Sequence, residues 1–244
     1  MSDRSPVLHE GVPLDPERLP SGDEKRHAVR SMFDAIAPRY DLVNRIMTFR
    51  LDVRWRRRTI DGLRLATGSV VLDLACGTGD FCRELSGRSH TAIGLDLSMG
   101  MLQAARTDAP LVHADILSTP ITDGGADGAT CGFALRNLVE LPGFFDELAR
   151  VVRPGGRVAL LEVAQPSQRM LRWGHDVYFG RIVPRIGAVL SDGTAYRYLP
   201  RSVAYLPEPD ELSASLEAAG FVDVEHHLLT GGIAQLLTAT RRAR

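Results

Sequence analysis

An apolar strand that runs directly into a glycine-rich turn constrains this chain more than any other feature. Residues 70–80 read Val-Val-Leu-Asp-Leu-Ala-Cys-Gly-Thr-Gly-Asp. Glycines permit the sharp turn, and they let the backbone approach a ligand that a Cβ would block. A second apolar run, Thr91–Leu95, ends at Asp96, where an acid suits the paired hydroxyls of a ribose. The pattern predicts a nucleotide-binding loop, and a plain turn between strand and helix is the alternative.

Two classes of ligand use such a loop, and the spacing distinguishes between them. A dinucleotide site requires a third glycine three residues after the second, and this chain has Cys82 there. Asp80 adds negative charge where a pyrophosphate would approach the helix N-terminus. The same negative charge is compatible with the positively charged sulfonium and ammonium groups of S-adenosylmethionine. The loop therefore favours S-adenosylmethionine over a nicotinamide dinucleotide.

Strands and helices alternate through the middle of the chain. An amphipathic helix carries Phe144, Leu148 and Val151 on one face and stops at the Arg-Pro-Gly-Gly turn of residues 153–156. Alternation of this kind predicts an α/β fold, with a parallel sheet, helices on both faces and ligands at the carboxyl ends of the strands. We predict further strands at Leu111–Ile116, Gly128–Phe133, Arg157–Val163, Val222–Leu228 and Gln235–Thr240, and a closing helix at Asp210–Ala219.

These motifs carry a family resemblance. The loop at 74–80 and the helix stop at 153–156 resemble class I S-adenosylmethionine methyltransferases, which have a Rossmann-like sheet that is parallel except for an antiparallel last strand. Four more stretches resemble the ubiquinone/menaquinone C-methyltransferase family, and they lie at residues 33–44, 132–137, 183–187 and 195–199. The resemblance implies S-adenosylmethionine-dependent C-methylation of a prenylated quinol, most specifically of demethylmenaquinol to menaquinol.

The chain departs from the family pattern after Met47. The family shows a small residue, a glycine and a His-Arg pair before the tryptophan, whereas residues 48–55 here read Thr-Phe-Arg-Leu-Asp-Val-Arg-Trp. This change leaves open a methyltransferase of the same branch that acts on another aromatic or secondary metabolite. A non-catalytic S-adenosylmethionine-binding protein is a more distant alternative, which would have no reason to keep Arg136 and Asn137.

We expect the cofactor to contact residues at three strand ends. Asp96 should bind the ribose, and Asp115 with Ile116 should bind the adenine. The residues expected at the methionine portion are Gly77, Thr78 and Gly79, and Asp73 should order the loop or meet the ammonium.

The ring carbon of a quinol becomes nucleophilic as a hydroxyl proton leaves, and a phenol with a pKa of ~10 needs a base or a positive neighbour for this. The resemblance assigns substrate activation to Arg136 and Asn137, which otherwise cap the turn after a strand. Tyr40 is a further catalytic candidate. Asp41, Tyr196 and Tyr198 are weaker candidates for positioning or proton transfer.

We predict a mobile arm at residues 1–26 and a single methyltransferase domain at 27–244. Within that domain, two helices at 27–68 should cover the cofactor, and an insertion at about 166–207 should form a lid over an apolar substrate. The alternative, which better explains any single one of its aromatic residues, is that they form the insertion's own core.

The net charge of −1 argues against nucleic acid as a partner. A lipid-soluble quinol implies transient contact with a membrane surface, and a homodimer is left open. The basic run at 54–58, which includes Trp55, is either a lipid-facing patch or a solvated helix face with apolar residues packed inward.

The histidines show no metal-ligand spacing, so we predict no metal. The three cysteines, Cys76, Cys82 and Cys131, suit reduced thiols in a cytoplasmic protein, which would be peripheral at the inner face of the membrane. Methyl transfer from a sulfonium needs no cysteine nucleophile.

Overall fold

The computed structural model describes residues 21–164 and 202–243. The first 20 residues of the predicted arm lie outside this part of the chain, and so does most of the predicted lid, including Tyr196 and Tyr198. The described residues form one seven-stranded sheet in the order β3-β2-β1-β4-β5-β7-β6. The strands are β1 (Val70–Leu74), β2 (Thr91–Asp96), β3 (Leu111–His113), β4 (Ala126–Gly132), β5 (Val152–Val163), β6 (Phe221–Leu229) and β7 (Ala234–Arg241).

The pairing confirms the predicted fold class. Strands β1 to β5 pair parallel with one another, and β7 pairs antiparallel with both β5 and β6. Because consecutive side chains of a strand point to opposite faces, β1 divides its apolar residues between two cores. Leu72 and Leu74 belong to one core, and Val71 belongs to the other.

Helices cover both faces of the sheet, as predicted. The first core includes residues of α6 (Leu141–Val151) and α7 (Pro209–Ala218), and the second includes residues of α3 (Leu51–Leu63) and α4 (Asp80–Ser86). The short helix α5 (Met99–Ala104) follows β2. Two further helices, α1 (Gly22–Ile36) and α2 (Tyr40–Met47), precede α3.

The helical cover differs from the prediction in its start and in its number of helices. Helix α1 begins at Gly22 rather than near His27, and three helices rather than two precede β1. The side chain of Lys25 explains the earlier start, because its Nζ donates to the carbonyl of Leu138 at 2.7 Å and lies 3.6 Å from the ring centroid of Tyr205. Residues 22–26 therefore belong to a helix that the Lys25 side chain anchors, and not to the arm.

The strand bounds also differ from the prediction. Strand β4 begins at Ala126 rather than Gly128, β6 and β7 are each one residue longer at both ends, and two strands differ by three residues or more. Strand β5 begins at Val152 instead of Arg157, because Val152 already pairs with Ala126 before a register shift at the glycine turn. Strand β3 ends at His113, so that Asp115 and Ile116 lie in the loop after it.

The basic run at 54–58 lies on α3 and is not a uniform basic face. Trp55 is only 5 % exposed, and its indole N–H donates to the hydroxyl of Thr230 at 2.7 Å. Arg56 is also buried, paired with Asp52 and Asp80. Of the two interpretations of this run, the solvated helix face with inward-packed apolar residues is the one that fits Trp55.

Candidate functional site

The glycine turn after β1 places backbone against a cavity. Gly77 adopts a φ of +54°, and a Cβ built on it would meet nothing within 4 Å, because this side faces the cavity. Gly79 has a different requirement: its φ is +81°, and a Cβ would lie 2.7 Å from the Cγ2 of Thr107. The glycine at 77 thus leaves room for a ligand to approach the main chain, whereas the glycine at 79 permits close packing of the turn.

Asp96 holds the same turn from the next strand. Its Oδ2 accepts the N–H of Gly77 at 2.8 Å, and its Oδ1 accepts the N–H of Ser98 at 2.8 Å. Burial raises the pKa of Asp96, and the two N–H bonds act in the opposite direction. Each carboxylate oxygen can accept more than one hydrogen bond, so the group retains capacity for a pair of hydroxyls.

Asp115 lines the cavity from the loop after β3. Its Oδ1 accepts the N–H of Leu117 at 3.0 Å, and its Oδ2 forms an ion pair with Arg26 of α1. Ile116, beside it, is 5 % exposed and supplies an apolar wall. A flat aromatic group with an exocyclic amine fits between such a wall and such an acceptor.

The cavity lies between α1 and the carboxyl ends of the strands, as expected for an α/β fold. Its volume is about 830 Å³ when the open solvent at its mouth is included. Its lining is mostly apolar, and α1 contributes Val29 and Phe33 from the opposite side. Its polar or charged lining side chains among the described residues are Arg26, Arg30, Tyr40, Asp96, Ser98, Asp115 and Asn137.

Two lining residues have unusual backbone. Ala75 has a φ of +57° and Phe133 a φ of +59°, and they follow the adjacent strands β1 and β4. A left-handed conformation is a genuine outlier for a bulky residue, and such strain is concentrated at binding and catalytic sites. The ring of Phe133 packs 6.3 Å from that of Trp55, which helps to hold the strained turn in place.

Three predicted cofactor residues do not line the cavity. Asp73 is 1 % exposed, and it accepts hydrogen bonds from Thr130 at 3.1 Å and Cys82 at 3.5 Å. Burial raises its pKa to about 7. These contacts agree with a role in ordering the loop. Gly79 packs on Thr107, as described above, and the Thr78 hydroxyl donates to Asp41 of α2.

The three predicted catalytic residues separate into two groups. Tyr40 and Asn137 line the cavity, whereas Arg136 is not among its lining residues. Burial raises the pKa of Tyr40 to about 12, and the positive charge of Arg136 acts against that shift. Tyr40 is therefore a neutral hydrogen-bond donor near neutral pH, and Arg136 is close enough to influence it.

Arg136 belongs to a buried ion pair that the sequence analysis missed. Its Nη1 pairs with the Oε1 of Glu162 and donates to the carbonyl of Phe133 at 2.8 Å, while its Nε donates to the hydroxyl of Ser202 at 3.1 Å. Glu162 is completely buried in β5. The sequence did contain a signal for this pair. Glu162 lies inside the otherwise apolar run 158–163, and a buried charge requires a partner.

Asp34 is a second residue that the sequence analysis missed. Its Oδ1 accepts hydrogen bonds from the hydroxyl of Ser98 and from the N–H of Gly100 at 2.9 Å, which fastens α1 to the start of α5. Ser98 also caps α5 by accepting from the N–H of Met101 at 3.1 Å.

Comparison with known proteins gives a consistent result. A model of the ubiE/COQ5 methyltransferase family matches residues 21–241. A demethylmenaquinone methyltransferase of Roseiflexus castenholzii is 41 % identical, over 92 % of this chain and 98 % of its own length. One from Mycolicibacterium vanbaalenii is 42 % identical, over 88 % and 95 %.

Solved structures are similar in fold. A putative methyltransferase of Haloferax volcanii, in complex with the activator Trm112, has a TM-score of 0.62 at 17 % identity and is matched over 86 % of this chain and 97 % of its own. Phosphoethanolamine N-methyltransferase 2 of Haemonchus contortus, bound to S-adenosyl-L-methionine, has a TM-score of 0.57 at 13 % identity, over 77 % and 52 %.

Proposed function

Because the chain belongs to the ubiE/COQ5 methyltransferase family and is an S-adenosylmethionine-dependent methyltransferase, we propose that it methylates a ring carbon of a prenylated quinol, specifically demethylmenaquinol. The observation that carries this proposal is the mostly apolar cavity at the strand ends, in which Asp96 and Asp115 lie with Tyr40 and Asn137. Relatives that are 40–42 % identical are named for this substrate.

One group of lining residues fits the cofactor. Asp96 has carboxylate lone pairs for both ribose hydroxyls, and Asp115 can accept from an adenine amine beside Ile116. The open side of Gly77 admits the methionine portion against the main chain. When bound, S-adenosylmethionine supplies a methyl group that its sulfonium centre has already activated for transfer. The protein's task is then to hold a nucleophilic carbon in line and to exclude water.

A second group of residues suits a phenolic ring. Tyr40, with its pKa raised to about 12, donates a hydrogen bond to a substrate oxygen and does not act as a base near neutral pH. Asn137, held toward the carbonyl of Phe133 at 3.4 Å, offers a second polar contact. Arg136 acts through its field from behind the cavity wall, and its bonds to Glu162 and Phe133 fix its orientation in advance.

A mass-resolved assay tests this function. The purified protein is supplied with S-adenosylmethionine and chemically reduced demethylmenaquinone that carries deuterium at the vacant ring carbon. C-methylation adds one methyl group and releases the deuterium, whereas O-methylation retains it. We expect a product with one added methyl group and no deuterium.

Variants connect the reaction to the cavity. We expect Tyr40→Phe and Asn137→Ala each to lower kcat between about a hundredfold and a thousandfold with cofactor affinity retained, as for loss of one donor to a developing oxyanion. Tyr205→Phe is the matched control, because Tyr205 is not a lining residue and the substitution keeps its ring beneath Lys25. If the protein binds the cofactor but does not methylate this quinol, the specific proposal is overturned, and the substrate would be another aromatic metabolite.

A further inference from the structure

The mouth of the cavity is defined by the lining residues that solvent also reaches. Among the described lining residues, only Arg26, Arg30 and Val139 are exposed. The two arginines lie on α1, and Val139 lies in the loop between the short 3₁₀ helix Leu135–Asn137 and α6. Val139 carries no charge, so an apolar group that leaves the cavity has one apolar edge to follow.

Val139 comes directly after a backbone position that is held from two sides. The carbonyl of Leu138 accepts from the Nζ of Lys25 at 2.7 Å, and its N–H donates to the carbonyl of Leu135 at 3.2 Å. The side chain of Leu138 lines the cavity and packs against the first core. Because these contacts fix the backbone at residue 138, they also fix where Val139 begins. We call Leu138 and Val139 the cavity lip.

Single apolar residues are common on protein surfaces, but Val139 is continuous with a cavity. It is 41 % exposed. The other large apolar side chains that are exposed in the described part of the chain do not line the cavity, and they are Leu42, Ile46, Phe49, Met99 and Leu228. Inside the mouth, Val29 and Leu138 extend the apolar wall. The lip therefore joins the apolar interior of the cavity to its surroundings.

We propose that the cavity lip guides the prenyl tail of the substrate out of the cavity, and that Val139 favours prenylated over tail-free quinols. The inference rests on the proposed function, in which Asn137 contacts the phenolic ring. Val139 lies two residues after Asn137, and Leu138 between them is extended, so the two positions are at most about 7 Å apart along the chain. In demethylmenaquinol the prenyl chain is attached next to the vacant ring carbon, so its first isoprene unit reaches the lip.

The charged edge of the mouth suits the tail less well. Arg26 pairs with Asp115, where we expect the adenine, and Arg30 presents an exposed guanidinium group. An apolar chain that covers such a group removes water from it at a cost, whereas contact with Val139 and Leu138 is favourable. The rest of a long tail lies outside the cavity. No helix in the described part of the chain has the length and apolar character needed to cross a membrane.

Contact at the lip should affect substrate binding rather than the chemical step. The tail is not a reacting group, so its contact with Val139 is equally strong in the ground state and in the transition state. Uniform binding of this kind lowers KM and leaves kcat unchanged. We therefore expect the lip to set the KM of prenylated quinols.

A comparison of two soluble quinols tests the proposal. One carries a single isoprene unit beside the vacant ring carbon, and the other carries no tail. The ratio of their kcat/KM values measures the contribution of the tail. Val139→Asp should lower this ratio about tenfold or more, through the KM of the prenylated quinol, because the tail loses an apolar contact and desolvates a carboxylate. Val139→Ile keeps the apolar edge and should retain the ratio.

Met99→Asp is the matched control. Met99 is 43 % exposed and does not line the cavity, and as the first residue of α5 it occupies a position where a carboxylate is tolerated. The ratio in this variant should equal that of the wild type. Because Val139 is exposed, Val139→Asp should also keep the thermal midpoint of the wild type, which separates a lost tail contact from lost folding.

Photolabelling locates the tail without turnover. A quinol with a diazirine on its isoprene unit is irradiated with the wild-type protein, and the labelled peptide is identified by mass spectrometry. We expect label at Leu138 or Val139. Label confined to other segments, or an unaltered ratio in Val139→Asp, would overturn the tail path, and methylation of both quinols would leave the proposed reaction standing. Methylation of neither quinol by the wild type would reject the reaction, and the tail path with it.

Discussion

The buried ion pair between Arg136 and Glu162 makes a strong prediction about what happens when the arginine is removed. The Arg136 side chain is 7 % exposed and that of Glu162 is fully buried. Besides the guanidinium, Glu162 accepts only main-chain N–H groups among the described residues, from Arg136 at 3.2 Å and Val163 at 2.8 Å. Arg136→Met would therefore remove the positive charge that pairs with Glu162 and leave its carboxylate buried in the core.

The expected cost follows from that geometry. Removing one partner of a buried ion pair costs about 3–5 kcal/mol, which is a large part of the roughly 5–15 kcal/mol that stabilises a folded domain. The double variant Arg136→Met, Glu162→Gln removes the stranded charge and keeps an amide oxygen for the N–H of Val163. We expect it to recover most of the loss, with a coupling energy of about 2–3 kcal/mol between the two sites.

Urea unfolding of the wild type, both single variants and the double variant measures that coupling. A loss below about 1 kcal/mol in Arg136→Met, or a double variant no more stable than the single one, would refute the reasoning. The experiment also clarifies catalysis. Loss of activity in Arg136→Met alone is confounded by lost folding, whereas the stability-restored double variant isolates the contribution of the positive charge to turnover.

Three other predictions concern aspartates near the cavity. Asp96→Ala should weaken S-adenosylmethionine binding about a hundredfold in calorimetry, through loss of charge-assisted bonds to the ribose; unchanged affinity would remove it from the site. Burial raises the pKa of Asp73 from 3.8 to about 7, so the folded chain binds a proton more tightly than the unfolded chain. The free energy of unfolding should therefore fall as the pH rises between these two values. Asp73→Asn should flatten this pH dependence in urea unfolding, and an unaltered slope would contradict the assignment. Asp34→Ala removes two hydrogen bonds that hold α1, so limited proteolysis should cut α1 faster; an unchanged rate of cleavage would show that these bonds do not hold the helix.

Sequence alone was sufficient for the features that depend on local pattern. Strands β1 and β2 were predicted from apolar runs, and the glycine turn from residue types that tolerate positive φ. The positions of Gly77, Asp96 and Asp115 beside one cavity follow from a general rule, because the carboxyl ends of parallel strands share one edge of the sheet. Each of these inferences needs only the spacing of apolar residues along the sequence and the direction in which the chain runs through each strand.

What the sequence did not predict depends on contacts between distant residues. The bond from Lys25 to Leu138 spans 113 positions, and nothing near residue 25 indicates that its side chain is buried. The partner of Arg136 lies 26 positions away in β5, so an arginine expected at the substrate was found in an ion pair behind the cavity wall. Local patterns identify residue chemistry but not the tertiary partner that uses it.

The helical cover and the loops that we predict to bind the cofactor are joined by polar contacts at three successive strand ends. Asp41 binds Thr78 after β1, Asp34 binds Ser98 after β2, and Arg26 binds Asp115 after β3. The loops that surround the predicted cofactor position are thus the same loops on which α1 and α2 rest. A ligand that orders these loops also stabilises the cover, and a cover in place restricts the loops before the ligand arrives. We therefore expect cofactor binding and the packing of the helical cover to be coupled through the side chains that contact both.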